Sequence, residues 1–118
     1  MKLVIGGQLA QKEIETLVRK LAGDRIGISV KSDMAAAMDL RNGTADYYLG
    51  SCATGGGGSL AMAIALNGYD KCLTVAMPGK TLDDSEITAA IDRGVKAFGF
   101  VPQAMDAVVP VIVNHLLQ

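Results

Sequence analysis

Short apolar runs alternate with helix-patterned stretches along the whole chain, and this alternation constrains the fold more tightly than any other feature. Lys2–Ile5 reads as a first strand ending at Gly6-Gly7. Gln8–Leu21 then places Leu9, Ile14, Leu17, Val18 and Leu21 along one helix face, and Gly23 suits the helix stop. Arg25–Val30 is a second strand. Ser32 or Asp33 caps the next helix, which carries Met34, Ala37, Met38 and Leu40 and ends at Asn42-Gly43. Asp46–Ser51 is a third strand. Ser59–Leu66 is helical and closed by Asn67-Gly68. Lys71–Met77 is a fourth strand before a Pro78-Gly79 turn. Thr81 or Asp83 caps a helix running to about Arg93, with Gly94 as its stop. Ala97–Val101 is a fifth strand. A last helix spans about Gln103 to Leu117, and Pro110 inside it predicts a kink or a restart.

Strands that alternate with helices imply βαβ crossovers and a parallel sheet covered on both faces. The expected architecture is a three-layer α/β/α sandwich with a five-stranded parallel sheet, Rossmann-like or flavodoxin-like. One α/β domain over residues 1–118 accounts for the length, because two cores would each be too small.

Half of the 118 residues are hydrophobic, 19% are charged and there is no Trp, so Val, Ile, Leu, Ala and Met must build the core. That composition argues against disorder. The formal net charge is −1 with no Lys/Arg stripe, which argues against nucleic-acid binding. No apolar run reaches the roughly 20 residues needed to cross a bilayer, so no membrane insertion is expected. The N-terminus lacks the pattern of a signal peptide, and Cys52 and Cys72 show no metal-ligand spacing. The expected compartment is the cytoplasm, with both thiols reduced. No metal and no cofactor is implied.

Ligands of open parallel sheets bind beyond the carboxyl ends of the strands, at the switch in strand order. The turns at that end contain Gly6, Gly7 and Gln8, the segment Ser51–Ser59, and Met77–Lys80. The middle one is the most unusual, with Gly55, Gly56, Gly57 and Gly58 in succession. Bare amides entering a helix form an anion site, and Thr54 and Ser59 add hydroxyl donors. The plainer reading is a flexible turn whose small residues let helix and sheet approach. No Lys follows the glycines as a P-loop requires, and Leu60 occupies the last position of a G-x-G-x-x-G match, so ATP hydrolysis and dinucleotide binding are not indicated.

Cys52, near a helix N-terminus, is either a general base or nucleophile with a lowered pKa or a buried small hydrophobe. Cys72 reads as core. Lys80 either steers an anion or is a solvated turn residue. Gln8 either offers its amide to a ligand or starts its helix. His115, the only His, suits the C-terminal dipole of its helix. The stretch Ala107–Leu117 is apolar at nearly every position, and such a helix is normally buried. That predicts a homodimer or higher homo-oligomer.

Nearly the whole chain resembles the YhfU family of small bacterial proteins, through Asp33–Met38, Asp46–Cys52, Ile64-Ala65, Gly68-Tyr69, Ala97–Gly99 and Ile112–Leu116. That resemblance supplies no reaction. A more local one, over Asn42–Ala65, is to ribose-5-phosphate isomerase B and galactose-6-phosphate isomerase. Those enzymes carry Cys-Gly-Thr-Gly-x-Gly after a strand, and this chain has Cys52-Ala53-Thr54-Gly55-Gly56-Gly57, then Ser59 and Ala63–Ala65. The resemblance implies that Cys52 is a proton-shuttling base, with Thr54, Gly55, Gly56 and Gly57 stabilising an enediolate oxygen. Where the isomerases have Asp-His after the first strand, this chain has Gly6-Gly7-Gln8.

The expected ligand is a phosphorylated sugar or similar small anionic metabolite. Cys52 and Thr54 are the candidate catalytic residues. Gly6, Gly7, Gln8, Ser51, Gly55–Gly58, Ser59 and Lys80 are the candidate anion contacts. The alternative is a non-catalytic carrier or regulatory subunit of a sugar transport or phosphotransfer system.

Overall fold

The computed structural model describes residues 1–118. Its core is a parallel sheet of β1 (Lys2–Gly7), β2 (Gly27–Val30), β3 (Tyr47–Ser51), β4 (Cys72–Thr74) and β7 (Ala97–Phe100), in the order β2-β1-β3-β7-β4. The last strand therefore inserts between the third and the fourth. Period-two alternation divides the side chains between two layers. Leu3, Ile5, Leu49, Phe98 and Phe100 join the larger apolar core, whereas Val4, Tyr48 and Ala97 join the smaller one. Helices α1 (Gln11–Ala22), α4 (Asp84–Asp92) and α5 (Met105–Leu116) cover the larger core through Ile14, Val18, Ile87, Val108 and Ile112. Helices α2 (Asp33–Asn42) and α3 (Ala61–Asn67) cover the other through Ala36, Ala37, Leu40 and Ala63. The result is the expected three-layer α/β sandwich.

Several local signals act as the sequence suggests. The Ser32 side chain accepts from the Ala35 amide at 3.3 Å and caps α2. Gly43, in the left-handed region at φ 77°, ends that helix. Other expectations are corrected. Helix α1 starts at Gln11, not Gln8, because the Gln8 and Leu9 amides both donate to the Ser51 carbonyl, at 2.8 and 3.0 Å. Ala10 then enters the helix at φ 58°, a conformation that costs a non-glycine residue about 1–2 kcal/mol. Leu9, Met34 and Met38 are exposed rather than core. The predicted fourth strand breaks after Thr74. Ala76–Met77 (β5) leaves the sheet and pairs antiparallel with Lys80–Thr81 (β6). Pro78 followed by Gly79 at φ 77° supplies the turn. Helix α5 runs through Pro110 without a restart, and a short 3-10 turn, Pro102–Ala104, precedes it.

The apolar content of α5 has a cause inside the chain. Val108, Val109, Ile112, Val113 and Leu116 are buried in the core shared with α1 and α4. The helix is therefore not an uncovered apolar rod, and its composition no longer argues for a second subunit. No helix is long and apolar enough to cross a membrane.

Candidate functional site

Helix α1 carries the chain from β1 to β2 over one face of the sheet and α2 carries it from β2 to β3 over the other, so the strand order reverses between the neighbours β1 and β3, the place where ligands of open parallel sheets bind. Gly7 pairs with Ser51 at the carboxyl ends of these strands. The double donation from Gln8 and Leu9 to the Ser51 carbonyl clamps the first βα turn to the end of β3. Cys52 is the next residue, and the glycine run begins at Gly55.

Cys52 is only 1% exposed, and the turn Thr54–Ser59 folds over its thiol. The sulfur lies 3.4 Å from Ser59 Oγ and 3.5 Å from Thr54 Oγ1. The two hydroxyls differ in what their protons are doing. Ser59 Oγ donates to the Gly55 carbonyl at 2.8 Å, so the thiol donates to Ser59. Thr54 Oγ1 accepts from the Gly57 amide at 3.0 Å, which leaves its own proton free to reach sulfur. Burial pushes the thiol pKa up, but hydrogen bonds from the hydroxyls and amides of Ser59 and Thr54 outweigh it and draw the value down to about 6. Full ionisation requires the Ser59 hydroxyl to swing from Gly55 to sulfur, because one proton cannot serve both acceptors. A helix dipole plays no part in this. Helix α3 begins only at Ala61, has seven residues and lacks a side-chain cap, contrary to the expectation of a helix starting at Ser59.

The four glycines are not equivalent. Gly55 sits at φ 92°, and a Cβ there would stand 2.2 Å from the Ala76 carbonyl oxygen. A Cβ on Gly56 would meet Thr74 Oγ1 at 1.9 Å. These two residues are glycine because the turn rests closely on the start of the β5–β6 hairpin and the end of β4. Gly57 and Gly58 face outward, with Gly58 against the Gln8 amide group. The amides of Ala53, Gly56 and Gly58 donate to no backbone acceptor. The segment thus packs closely at Gly55 and Gly56 while the amides of Gly56 and Gly58 stay without backbone acceptors.

The first-turn glycines serve Tyr48; the sequence predicts that one of Tyr47 and Tyr48 is buried, but it does not place that ring at the site. A Cβ on Gly6 or Gly50 would lie 2.6 or 2.9 Å from the ring of Tyr48. Gly7, at φ 77°, would place a Cβ 2.4 Å from the Ser51 amide nitrogen. Tyr48 is 1% exposed. Its hydroxyl accepts from the Gly7 amide at 3.1 Å and donates to the Ser59 carbonyl. Burial, and then the negative charge of Asp33, raise its pKa well above the usual range, so the phenol keeps its proton. Period-two alternation in the third strand could have placed Tyr48 inward. Nothing local indicates which carbonyl it reaches.

The remaining candidates lie as follows. Ser51 is fully buried, and its hydroxyl has no hydrogen-bond partner. Lys80 is exposed on the hairpin and lines a cleft of about 510 Å³ with Ala53, Gln103 and Ala107. His115 lies at the other end of β3, beside Tyr47, where its ring nitrogen is 2.8 Å from Asp92. Cys72 is core-facing, and burial together with the Asp70 charge pushes its thiol up to about 11. No group of three His, Cys, Asp or Glu side chains is placed to hold a metal ion.

Comparison with known proteins agrees with this architecture. The type B ribose 5-phosphate isomerase of Trypanosoma cruzi superposes with a TM-score of 0.67 at 15% identity, covering 98% of this chain and 82% of that one. A ribose 5-phosphate isomerase from Thermotoga maritima gives 0.66 at 16% identity, covering 99% and 86%. At these identities the likeness is one of fold. In sequence, the uncharacterized protein YhfU of Escherichia coli K12 is 35% identical over 116 residues, covering 98% of this chain and 99% of that one. The protein of the same name in Shigella flexneri matches to the same extent. A family model described as "Protein of unknown function DUF2620" matches residues 1–116, and the chain belongs to that family.

Proposed function

We propose that this protein binds a phosphorylated sugar or a similar anionic metabolite at the Cys52 turn, and that Cys52 transfers a proton between neighbouring carbons of the bound molecule. The observation that carries this reading is the thiol itself. It lies at the switch point of a parallel sheet, drawn down to about 6 and bordered by amides without acceptors. A base near neutrality, next to donors aimed at developing negative charge, suits abstraction of a proton α to a carbonyl. The thiolate would take the proton from C2 of an open-chain aldose and return it to C1. The O2 proton passes to O1, so the ketose isomer forms without net loss of atoms. The amides of Gly56 and Gly58 and the Thr54 hydroxyl would face the enediolate oxygen, and Lys80 would attract the anionic group. The first turn, Gly6–Ala10, carries no titratable side chain that could open a sugar ring. The reading therefore favours a substrate that arrives open.

The covering turn must move before a substrate carbon reaches sulfur. The test is alkylation of native protein by iodoacetamide at pH 7, resolved by mass spectrometry, with Cys72 as the internal slow thiol. A sugar phosphate such as ribose 5-phosphate should slow modification of Cys52, and Cys52→Ala should abolish any aldose–ketose conversion. Unchanged alkylation across a panel of phosphosugars would overturn the proposal. A non-catalytic binding subunit is the second reading, favoured by the missing ring-opening pair. It predicts protection of Cys52 without conversion.

A further inference from the structure

Tyr48 does not bond the thiol itself, yet it bonds the residue that does. Ser59 is held at three points. Its carbonyl accepts from Tyr48, its hydroxyl donates to Gly55, and that same hydroxyl oxygen accepts from Cys52. The phenol is anchored in turn by the Gly7 amide, and Gly6 on β1 and Gly50 on Tyr48's own strand lack the Cβ atoms that would crowd its ring. Both neighbours of the ring would otherwise collide with it. A buried ring with a satisfied hydroxyl is rigid, and the same hydroxyl spans from the end of β1 to the end of the glycine turn.

We propose that Tyr48 is the positioning residue for the Cys52 thiol: by holding the Ser59 carbonyl, it aims the Ser59 hydroxyl at the sulfur. The inference deepens the reading of Cys52 as the reactive group and rests on it. Ser59 carries its hydroxyl on a single rotatable bond, so turning its backbone by removing the carbonyl's donor displaces Oγ directly. The carbonyl can only accept, so the Tyr48 proton must point at it. Burial first, then the Asp33 charge and to a smaller extent Cys72 and Cys52, disfavour the phenolate and keep that proton in place, against the opposing Gly7 amide. Tyr48 does not contact a substrate in this scheme and is not itself a base.

The experiment is the pH profile of Cys52 alkylation in wild type, Tyr48→Phe, Ser59→Ala and the double variant. Tyr48→Phe should raise the midpoint by roughly one unit, which slows the reaction about five-fold at pH 6 through the smaller thiolate fraction. Ser59→Ala should raise it likewise, and the double variant should add little, because the two residues act through one contact. A core control, Ile112→Val, lowers stability on the opposite face and should leave the midpoint unmoved. An unmoved midpoint in Tyr48→Phe would overturn the proposal, as would full additivity with Ser59→Ala. Wild-type protein supplies a check that needs no substitution to fold. With ¹³Cζ-labelled tyrosine, the Tyr48 resonance should titrate with the Cys52 midpoint, and a flat Tyr48 signal would overturn the proposal. Failure of sugar phosphates to protect Cys52, alongside a shifted Tyr48→Phe midpoint, would remove the proposed ligand and leave the positioning role standing.

Discussion

Replacing Cys52 by Ala should change how stability depends on pH, and the size of that change follows from the site. The thiol stands at about 6 in the fold against an ordinary 9, because Ser59 and Thr54 outweigh the opposing effect of burial. Between those values the unfolded chain holds a proton that the folded chain has released. Stability therefore rises with pH across this window and gains nothing further above about 9. Below about 6 both states are protonated, and the contribution is lost. One group with this displacement is worth about 2 kcal/mol between pH 6 and pH 8, and roughly 4 kcal/mol in full, at about 1.4 kcal/mol per unit. Urea unfolding under reducing conditions, at half-unit steps from pH 5.5 to 8.5, measures it. The stability of wild type minus that of Cys52→Ala cancels every other ionisable group, since the two proteins share them all. The cavity and the unpaired Ser59 oxygen left by Ala add a constant offset. The difference should grow by about 3 kcal/mol from pH 5.5 to pH 8.5. Parallel curves would refute the assignment of donors to the sulfur.

Two other substitutions test the packing of the turn. Gly55→Ala combines φ 92° with a Cβ 2.2 Å from the backbone oxygen of Ala76, and should cost at least ~3 kcal/mol in a thermal melt. Gly57→Ala meets only the Thr54 side-chain oxygen, at 2.7 Å, and should cost no more than about 1 kcal/mol; equal losses would show that the turn does not rest on Ala76. Ser51→Ala removes a buried hydroxyl with no partner and should leave stability unchanged or raise it by up to ~1 kcal/mol. A loss larger than that would mean the hydroxyl is bonded.

By itself the sequence determined the layered architecture and marked the end of the sheet that carries the candidate site. Apolar periodicity is a property of neighbours along the chain, and it survives as core faces such as Ile14 with Val18 and Ala37 with Leu40, though Met34 and Met38 fall outside the core. The cap at Ser32 and the stop at Gly43 are equally local. The strand order was not legible, because nothing within Ala97–Phe100 says that it inserts between β3 and β4. Neither was the departure of Ala76 from the sheet, which depends on the hairpin that Lys80–Thr81 completes. At the site, the residue types and the position of Cys52 could be read directly, but the reason for each glycine could not. Gly55 and Gly56 answer to Ala76 and Thr74, and Gly6 and Gly50 answer to Tyr48. Only tertiary structure brings those atoms within contact distance. The thiol's acidity is decided the same way: the proton that Ser59 offers or withholds depends on where Gly55 and Tyr48 hold it.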